Sequence, residues 1–518
     1  MNLQTSLQEF RQELTKIALV NPFLVSSLIL FSLLLLFYKS KRSSSELNLP
    51  PSPPKLPVIG NLHQLGKLPH RRLKTLSEKY GPVMLLHMGH AQTLVLSTIE
   101  MVKEITKNHD LAFADRPSST AVDLIFNGRL DMALGRQSDQ QKEAKKQCVV
   151  QLLSHKKVQE FHFIREEEVA KILDKLRLSS VNREPIKVND LYISIAHNII
   201  SRSAFGCLYE NDDGLHQSFG QLGRRITKLL SAFCFNDLFP FLGWMDHLTG
   251  LIGELKMTSK ELSQFFDRVI KERQALMKDD DKVDDMKCLV DVLLYLRKKG
   301  LQSDLSLDNI KGILMDMFIG GTDSLAVTME WMMAELMKNP RIMRKAQEEI
   351  RRVVGNKPKI TQADLDQMEY FKCVVKENIR YHGAALMPRQ TSGGVNFQGY
   401  DIPANTRVLI NAWAIQRDPN LWDRPQEFLP ERFLNCSDDS ENAEHRHLMF
   451  SFGFGRRACP GMSFAYAEIE YVMANLLYWF DWELPDGQKG EDLDMSEKWI
   501  FVIYKKLPLQ VVPQPYSP

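Results

Sequence analysis

Apolar residues recur three and four positions apart over long stretches of this chain. That spacing predicts amphipathic helices over residues 139–153, 156–177, 252–278, 307–338 and 365–382. Two regions break the pattern. The segments "VMLLHMG" and "TLVLS", near residues 83–98, are short, alternating and β-rich, which predicts a hairpin. The stretch "NFQGYDIPANTRVLINAWAIQRD", residues 396–418, returns to strand and turn. No fixed-period repeat and no second linker interrupts residues 60–510. The pattern therefore predicts one large, mainly α domain with a small β portion.

The N-terminal pattern is different in kind. Between Lys16 and Lys39 lie 22 uncharged residues, enough to cross a hydrocarbon core about 30 Å thick. The run ends in Tyr38-Lys39-Ser40-Lys41-Arg42 rather than in a small-residue cleavage site. It reads as an uncleaved single-pass anchor, with its basic flank and all that follows on the cytosolic side. The next stretch, "LPPSPPKLPVIGNL", residues 49–62, carries five prolines between Pro50 and Pro57. Prolines at that density form neither helix nor central strand, so the stretch is expected to be a stiff spacer. The layout expected is an anchor and basic flank over residues 1–45, a proline-rich hinge over 46–62, and a catalytic domain over 63–518.

Charge and cysteine usage exclude several classes. The net charge of +2 over 518 residues gives no electrostatic reason to bind nucleic acid. The seven cysteines, Cys148, Cys207, Cys234, Cys288, Cys373, Cys436 and Cys459, are scattered and contain no Cys-x-x-Cys. That argues against a disulfide framework and against a structural zinc site. The acidic run "KDDDKVDD", residues 278–285, reads as a solvated connection, and His445 and His447 as an exposed loop pair.

Three stretches carry chemistry. In "FSFGFGRRACPGMSFAYAEIE", residues 450–470, one cysteine follows a run of glycines and arginines and precedes Pro-Gly. Pro460 suits the first turn of a helix, which places Cys459 at a helix N-terminus, where free N–H groups favour a thiolate. In "DMFIGGTDSLAVTMEWMMAEL", residues 316–336, two adjacent glycines interrupt an apolar helix at a cost of about 2 kcal/mol relative to alanine. Gly320, Gly321, Asp323 and Ser324 are read either as a kink with a side-chain hydrogen bond or as a groove for a flat ligand. In the second reading the acid and the hydroxyl relay protons. In "KENIRYH", residues 376–382, Glu377 and Arg380 share one helix face, and Arg432 of "PERF", residues 430–433, is placed to join them.

Taken together and in this order, these motifs resemble those of the cytochrome P-450 family. The stretches "FADRPSS" and "INAWAIQRDPNLWDRPQEFLPERF" are similar to its plant microsomal branch of specialised metabolism. The resemblance implies haem b as cofactor, with Cys459 as the axial thiolate, Phe452 shielding the sulfur, and Gly455 and Gly461 letting the backbone approach the ring. It implies that Arg457, together with Arg116, Lys145 and Arg389, holds the haem carboxylates. Glu377, Arg380 and Arg432 become a structural cluster. Asp323 and Ser324 become the proton-delivery pair, with serine standing where the family usually has threonine. The activity implied is a monooxygenase of the endoplasmic reticulum membrane. It takes O2, and electrons from an NADPH-dependent cytochrome reductase, to oxidise a small apolar terpenoid, phenylpropanoid, coumarin or alkaloid. The alternative is a haem protein of the same fold without oxygenase activity, such as an isomerase, a dehydratase or a weakened carrier. Lys142, Lys145 and Lys146 share a helix face, which serves either to dock the reductase or simply to meet solvent.

The chain also departs from the family. Gln141-Lys142 stands where relatives have Trp-Arg, and "RYHGAALMPR", Arg380 to Arg389, is two residues shorter than the usual segment and lacks two prolines. Both changes predict looser haem retention. Trp499, Ile500 and Phe501 fall where the family places a substrate-facing turn.

Overall fold

The computed structural model describes residues 26–32, 47–126, 131–206, 216–278, 288–300, 305–434, 450–500 and 502–517. Most of the expected anchor lies outside these residues, as do Cys207, Cys436, His445, His447, Phe501 and most of the acidic run at 278–285. Residues 26–32 are helical and exposed. Among the described residues no helix is long and apolar enough to cross a membrane.

Among the described residues the catalytic region includes the long helices α1 (Pro69–Tyr80), α2 (Asp139–Cys148), α3 (His162–Val181), α4 (Val188–Phe205), α5 (His216–Leu230), α6 (Leu251–Leu276), α7 (Leu307–Lys338), α8 (Pro340–Val354), α9 (Glu369–His382) and α10 (Met462–Trp479), with a further helix at Leu289–Lys298. The helix predicted over 307–338 is α7. Ser306 starts it by accepting from the Asn309 N–H, while the Asn309 side chain accepts from the Ser306 N–H, a reciprocal cap that satisfies two otherwise orphaned donors. The run predicted over 139–153 is α2 continued by a π-helical turn, Val149–Leu153. The run over 156–177 divides into His155–Glu160 and α3, and that over 365–382 into Gln362–Asp366 and α9. Helices α1, α4, α5 and α8 have no counterpart among the predicted segments, while α10 is the helix expected to begin just after Cys459.

The hairpin predicted near 83–98 is present. Its strands β1 (Val83–Met88) and β2 (Ala91–Leu96) pair from Val83↔Leu96 to Met88↔Ala91. The remaining strands are β3 (Ile186–Lys187), β4 (Met387–Gln390), β5 (Val395–Phe397), β6 (Tyr400–Ile402), β7 (Arg407–Ile410), β8 (Phe480–Glu483), β9 (Glu497–Trp499), β10 (Ile503–Lys505) and β11 (Gln510–Pro515). One sheet runs β1-β2-β7-β4, with β7 parallel to β2 and antiparallel to β4. This sheet delivers Arg389 on β4 to the interior, where it is buried. The hairpin of β9 and β10 brings Tyr504 against α7. The proline-rich segment lies on this body: the Leu85 N–H donates to the Pro51 carbonyl at 2.9 Å, and the Asn61 side-chain amide to the Pro53 carbonyl at 3.3 Å.

Helix α7 is the axis of the core, with Trp331 fully enclosed on it. Helix α4 lies so close that a Cβ built on Gly321 would sit 3.0 Å from Ile200 Cγ1. One of the two adjacent glycines is therefore required by helix packing. A Cβ built on the other, Gly320, meets nothing within 4 Å.

Candidate functional site

Cys459 sits on the loop that enters α10. Its N–H donates to the Phe452 carbonyl at 2.7 Å, closing the loop into a compact turn. Gly453 and Gly455 adopt φ of +80° and +59°, a left-handed conformation that glycine enters without steric cost. At Gly455 a side chain would also strike the Asp110 carboxylate. Helix α2 is fastened across this loop by Lys145, whose Nζ donates to the carbonyls of Arg456 at 2.8 Å and Ala458 at 2.7 Å. Burial pushes the Cys459 thiol above its ordinary range, while the Gly461 N–H and the Lys145 ammonium pull it back. Gly461 has room for a Cβ only at contact distance from the Cys459 sulfur, 3.8 Å. The Phe452 ring packs 5.6 Å from that of Tyr466 on α10. The thiol therefore has protein on most sides, yet Cys459 is exposed.

Three guanidinium groups gather beside the loop, those of Arg389 and Arg457 buried and that of Arg116 half-buried. Arg457 donates to the carbonyls of Ala114 at 2.6 Å, Gly135 at 2.7 Å and Met132 at 3.3 Å. Arg389 reaches the Phe454 carbonyl at 2.7 Å. Arg116 reaches the carbonyls of Pro388 at 2.5 Å and Ala133 at 2.9 Å. Burial, with repulsion from Arg457 and Arg389, pushes Arg116 down to about 9. Burial also brings Arg389 down to about 10, with Asp110 opposing the fall and Arg457 adding to it. Like charges this close inside a protein favour an anionic partner. Lys145 feels the same cations, although burial is the main cause of its lowered value.

On α7, Ser324 is exposed and its hydroxyl donates to the Gly320 carbonyl at 2.6 Å. Asp323, one residue earlier, turns towards β10, where its carboxylate accepts from the Tyr504 hydroxyl at 2.6 Å. The acid and the alcohol thus leave the helix in different directions. Burial, followed by the Asp323 charge, raises the Tyr504 phenol, so it stays a donor.

The structure brings Glu377, Arg380 and Arg432 together. Arg380 forks onto both Glu377 oxygens at 2.7 and 2.8 Å, and Arg432 Nε lies 3.0 and 3.1 Å from them. The Leu429 N–H adds a 2.7 Å bond, and the Arg380 and Glu377 side chains are fully buried. The lysine face of α2 does not present three free cations. Besides Lys145, Lys142 pairs with Asp139 at 2.7 Å and Lys146 with Glu143 at 3.6 Å. Gln141 is buried and donates to the Met132 carbonyl at 2.7 Å. Trp499 packs 5.7 Å from the His70 ring.

These features fit an anionic, iron-bearing macrocycle: one accessible thiol on a glycine-shaped loop, buried and half-buried cations beside it, and a glycine on α7 that no protein atom covers. The family model for cytochrome P-450 matches residues 50–511. The chain belongs to the cytochrome P-450 family. A phenylacetaldehyde oxime monooxygenase of Prunus mume is 42% identical, over 96% of each chain. A psoralen synthase of Ammi majus is 40% identical, over 95% of this chain and 97% of its own. A zebra fish cytochrome P-450 solved with progesterone superposes with a TM-score of 0.74 at 23% identity, covering 86% of this chain and 99% of that one. The protein is therefore a P-450 monooxygenase of mainly helical fold whose cofactor is haem with an axial cysteine thiolate. Such an enzyme works with molecular oxygen, a small substrate and a redox partner that supplies electrons.

Three functional-site neighbours escaped the sequence reading. Asp131 and Asp316 are buried next to the arginines. The signal available was an acid in an otherwise apolar turn of α7, one turn before Gly320. Asp110, which accepts from the Arg456 N–H at 3.3 Å, carried no sequence signal at all.

Proposed function

We propose that Cys459 is the thiolate ligand of the haem iron. On this reading Arg116, Arg389 and Arg457 hold the haem carboxylates, and Gly320 and Ser324 face the ring from α7. The observation that carries this reading is the Cys459 loop, closed by the 2.7 Å bond to Phe452 and bridged by Lys145 to α2. When bound, the haem supplies oxygen activation; a thiolate ligand favours O–O cleavage. The chain's own residues do the rest. Lys145 and the Gly461 N–H stabilise negative charge on the sulfur. Ser324 offers its hydroxyl on the Gly320 face, and the Asp323 carboxylate accepts from the Tyr504 hydroxyl. Glu377, Arg380 and Arg432 fix α9 to the segment that precedes the cysteine loop. Replacing Cys459 with alanine should abolish the red-shifted Soret band of the reduced, CO-bound protein, whereas Cys148→Ala and Cys373→Ala should retain it. A retained band in Cys459→Ala would overturn the assignment.

The reaction proposed is hydroxylation or oxidation of a small apolar specialised metabolite: a terpenoid, a phenylpropanoid or coumarin, or an alkaloid. Relatives of nearly equal identity bear different activities, an oxime monooxygenase and a psoralen synthase. Similarity at this level therefore supports the reaction class without choosing among substrates. Substrate-induced Soret shifts across those classes, followed by NADPH-dependent turnover with a cytochrome reductase, test this directly.

The layout proposed is an anchor over residues 1–45, a hinge over 46–62 and a catalytic domain over 63–518, on the cytosolic face of the endoplasmic reticulum. It is supported by exposed apolar side chains on two neighbouring segments. Leu56, Val58 and Ile59 flank Pro57; Phe233, Phe241, Trp244 and Leu248 lie between α5 and α6. The turn between β1 and β2 joins them, with the Gly89 N–H on the Ile59 carbonyl at 3.3 Å and the His90 N–H on the Leu238 carbonyl at 2.9 Å. A patch of this kind beside the hinge is suited to lie in a lipid surface.

A further inference from the structure

Asp131 and Asp316 come together beside the arginine cluster although 185 residues separate them, and both are buried, at 2% and 6% exposure. One Asp316 oxygen accepts from the N–H groups of Met132 at 2.7 Å and Ala133 at 3.3 Å. One Asp131 oxygen accepts from those of Leu134 at 2.5 Å and Gly135 at 3.1 Å. The other Asp131 oxygen is buried with no protein donor, and Asp316 lies beside it, seated on the N–H of Met132, the residue that follows Asp131. Two neighbouring carboxylates buried in a dry interior strongly oppose each other's ionisation. A single proton between them also satisfies the orphaned oxygen.

The carbonyls of the same loop, residues 131–135, face the other way. They take Arg457 at Met132 and Gly135, Arg116 at Ala133, and Gln141 at Met132. The loop is thus held to α7 by acids on one side and carries the arginines on the other. The charged and titratable groups around the pair come from every neighbouring element. Arg116 and Asp115 precede the loop and Arg457 comes from the cysteine loop. Lys145 and the buried Cys148 come from α2, Arg389 from β4 and His197 from α4, its ring edge-on to Phe318 at 5.5 Å. On α7 itself, Lys311 is paired with Asp267 of α6 at 2.7 Å.

We infer that Asp131 and Asp316 are positioning residues of the haem site: they share one proton, pin the 131–135 loop to α7, and so leave Arg116 and Arg457 available to the haem carboxylates. This rests on the assignment of the arginine cluster proposed above. When the shared proton leaves, the doubly charged pair competes with the haem carboxylates for the same two arginines. Haem binding and protonation of the pair therefore support each other, as linkage requires. The pair keeps its proton at low pH and loses it as pH rises, so haem should be held less tightly, and its midpoint potential should fall, towards alkaline pH.

The experiment is transfer of haem from the full-length holoprotein to apomyoglobin, followed from about pH 6 to about pH 9, with the midpoint potential measured over the same range. The wild-type rate should rise about 3- to 10-fold across it, the size expected for a coupling near one pKa unit. Asp316→Asn keeps an acceptor for the loop N–H groups and offers an amide donor to Asp131, so it imitates the protonated pair; its rate and potential should be nearly independent of pH. Asp131→Asn should behave alike and decides the matter if the first variant yields no holoprotein. A flat wild-type profile, or variants with the wild-type slope, would overturn the inference. Arg116→Gln separates the two readings. If it leaves the haem transfer rate unchanged, the assignment of the arginine cluster fails. If it speeds transfer while the aspartate variants keep the wild-type slope, the inference alone fails.

Discussion

The adjacent glycines of α7 have opposite surroundings, and alanine at each should have opposite consequences. Either substitution removes a flexible residue from a helix interior, a gain of about 0.8–1.0 kcal/mol. At Gly320 no protein atom lies within 4 Å of the added methyl, so the gain should be kept in the polypeptide, and the side on which the methyl meets the proposed haem is read separately by the CO spectrum. At Gly321 the methyl would sit 3.0 Å from Ile200 Cγ1 and 3.1 Å from its Cδ1, against a carbon–carbon optimum of about 3.5–4.0 Å. Ile200 is 1% exposed and lies on a helix buried over most of its length, so the overlap is relieved chiefly by prising α4 from α7. Overpacking of that kind costs about 1–3 kcal/mol. The net expectation is a protein stabilised by up to about 1 kcal/mol for Gly320→Ala and destabilised by about 0–2 kcal/mol for Gly321→Ala. Urea unfolding of the detergent-solubilised holoprotein gives the stability, and the reduced CO spectrum gives the fraction that retains the thiolate ligand. Gly320→Ala should keep that spectrum. Equal midpoints for the two variants, or a lower one for Gly320→Ala, would refute the division of labour.

Other perturbations follow from single contacts. Glu377→Gln strips the counter-charge from Arg380 and Arg432 and should cost about 3–5 kcal/mol, seen as a collapse in recovered holoprotein; near-normal yield would show that the cluster is dispensable. Asp323→Asn should slow product formation by about 10- to 1,000-fold, the range for a lost proton-transfer group, with haem content unchanged; an unchanged rate would place the relay elsewhere. Glu497 is held down to about 2: burial alone would raise it, but the His70 and Arg71 side chains lower it by more. Its folded value lies below its unfolded one, so its stabilisation is full above about pH 4.5 and lost as pH falls towards about 2. Glu497→Gln should therefore flatten the acid limb of the stability profile measured by unfolding, and an unchanged limb would rule this pairing out.

The features legible in the sequence were those whose signal is local. Helix α7 carries its cap at Ser306 and Asn309 within four residues, and the cysteine loop carries its glycines, arginines and Pro460 within ten. Helix α4 was missed because "VNDLYISIAHNIISRSAF" is enclosed on nearly every side, so no polar face marks the helical period, and its isoleucines favour strand as much as helix. The parallel pairing of β2 with β7 joins residues more than 300 apart and leaves no local trace. Arg116 and Arg389 came into the reading only through the family resemblance, since neither stands in a cluster of charge along the chain. The Asp131–Asp316 pair was out of reach for the same reason: each looks like an ordinary acid until the fold sets them side by side.

The shortened segment after α9 shows how a departure in sequence can be answered in structure. Its missing prolines remove stiffness usually valued at about 0.4–1 kcal/mol per site. In their place Gly383 is so tightly seated that a Cβ would run into the Ile379 carbonyl and the Ser451 side chain. Ser451, on the approach to the cysteine loop, donates to that carbonyl at 2.8 Å and accepts from the Gln416 side chain at 3.1 Å. The Ala385 carbonyl takes the Trp413 N–H at 3.0 Å, and Met387 then enters β4 opposite Ile410. Each such bond is worth about 0.5–1.5 kcal/mol net, the same size as the stiffness lost. The end of α9, the β7–β4 sheet and the cysteine loop are thus tied at one corner by hydrogen bonds instead of by ring geometry. A glycine that reads as a weak point in the sequence is what lets the serine close that corner.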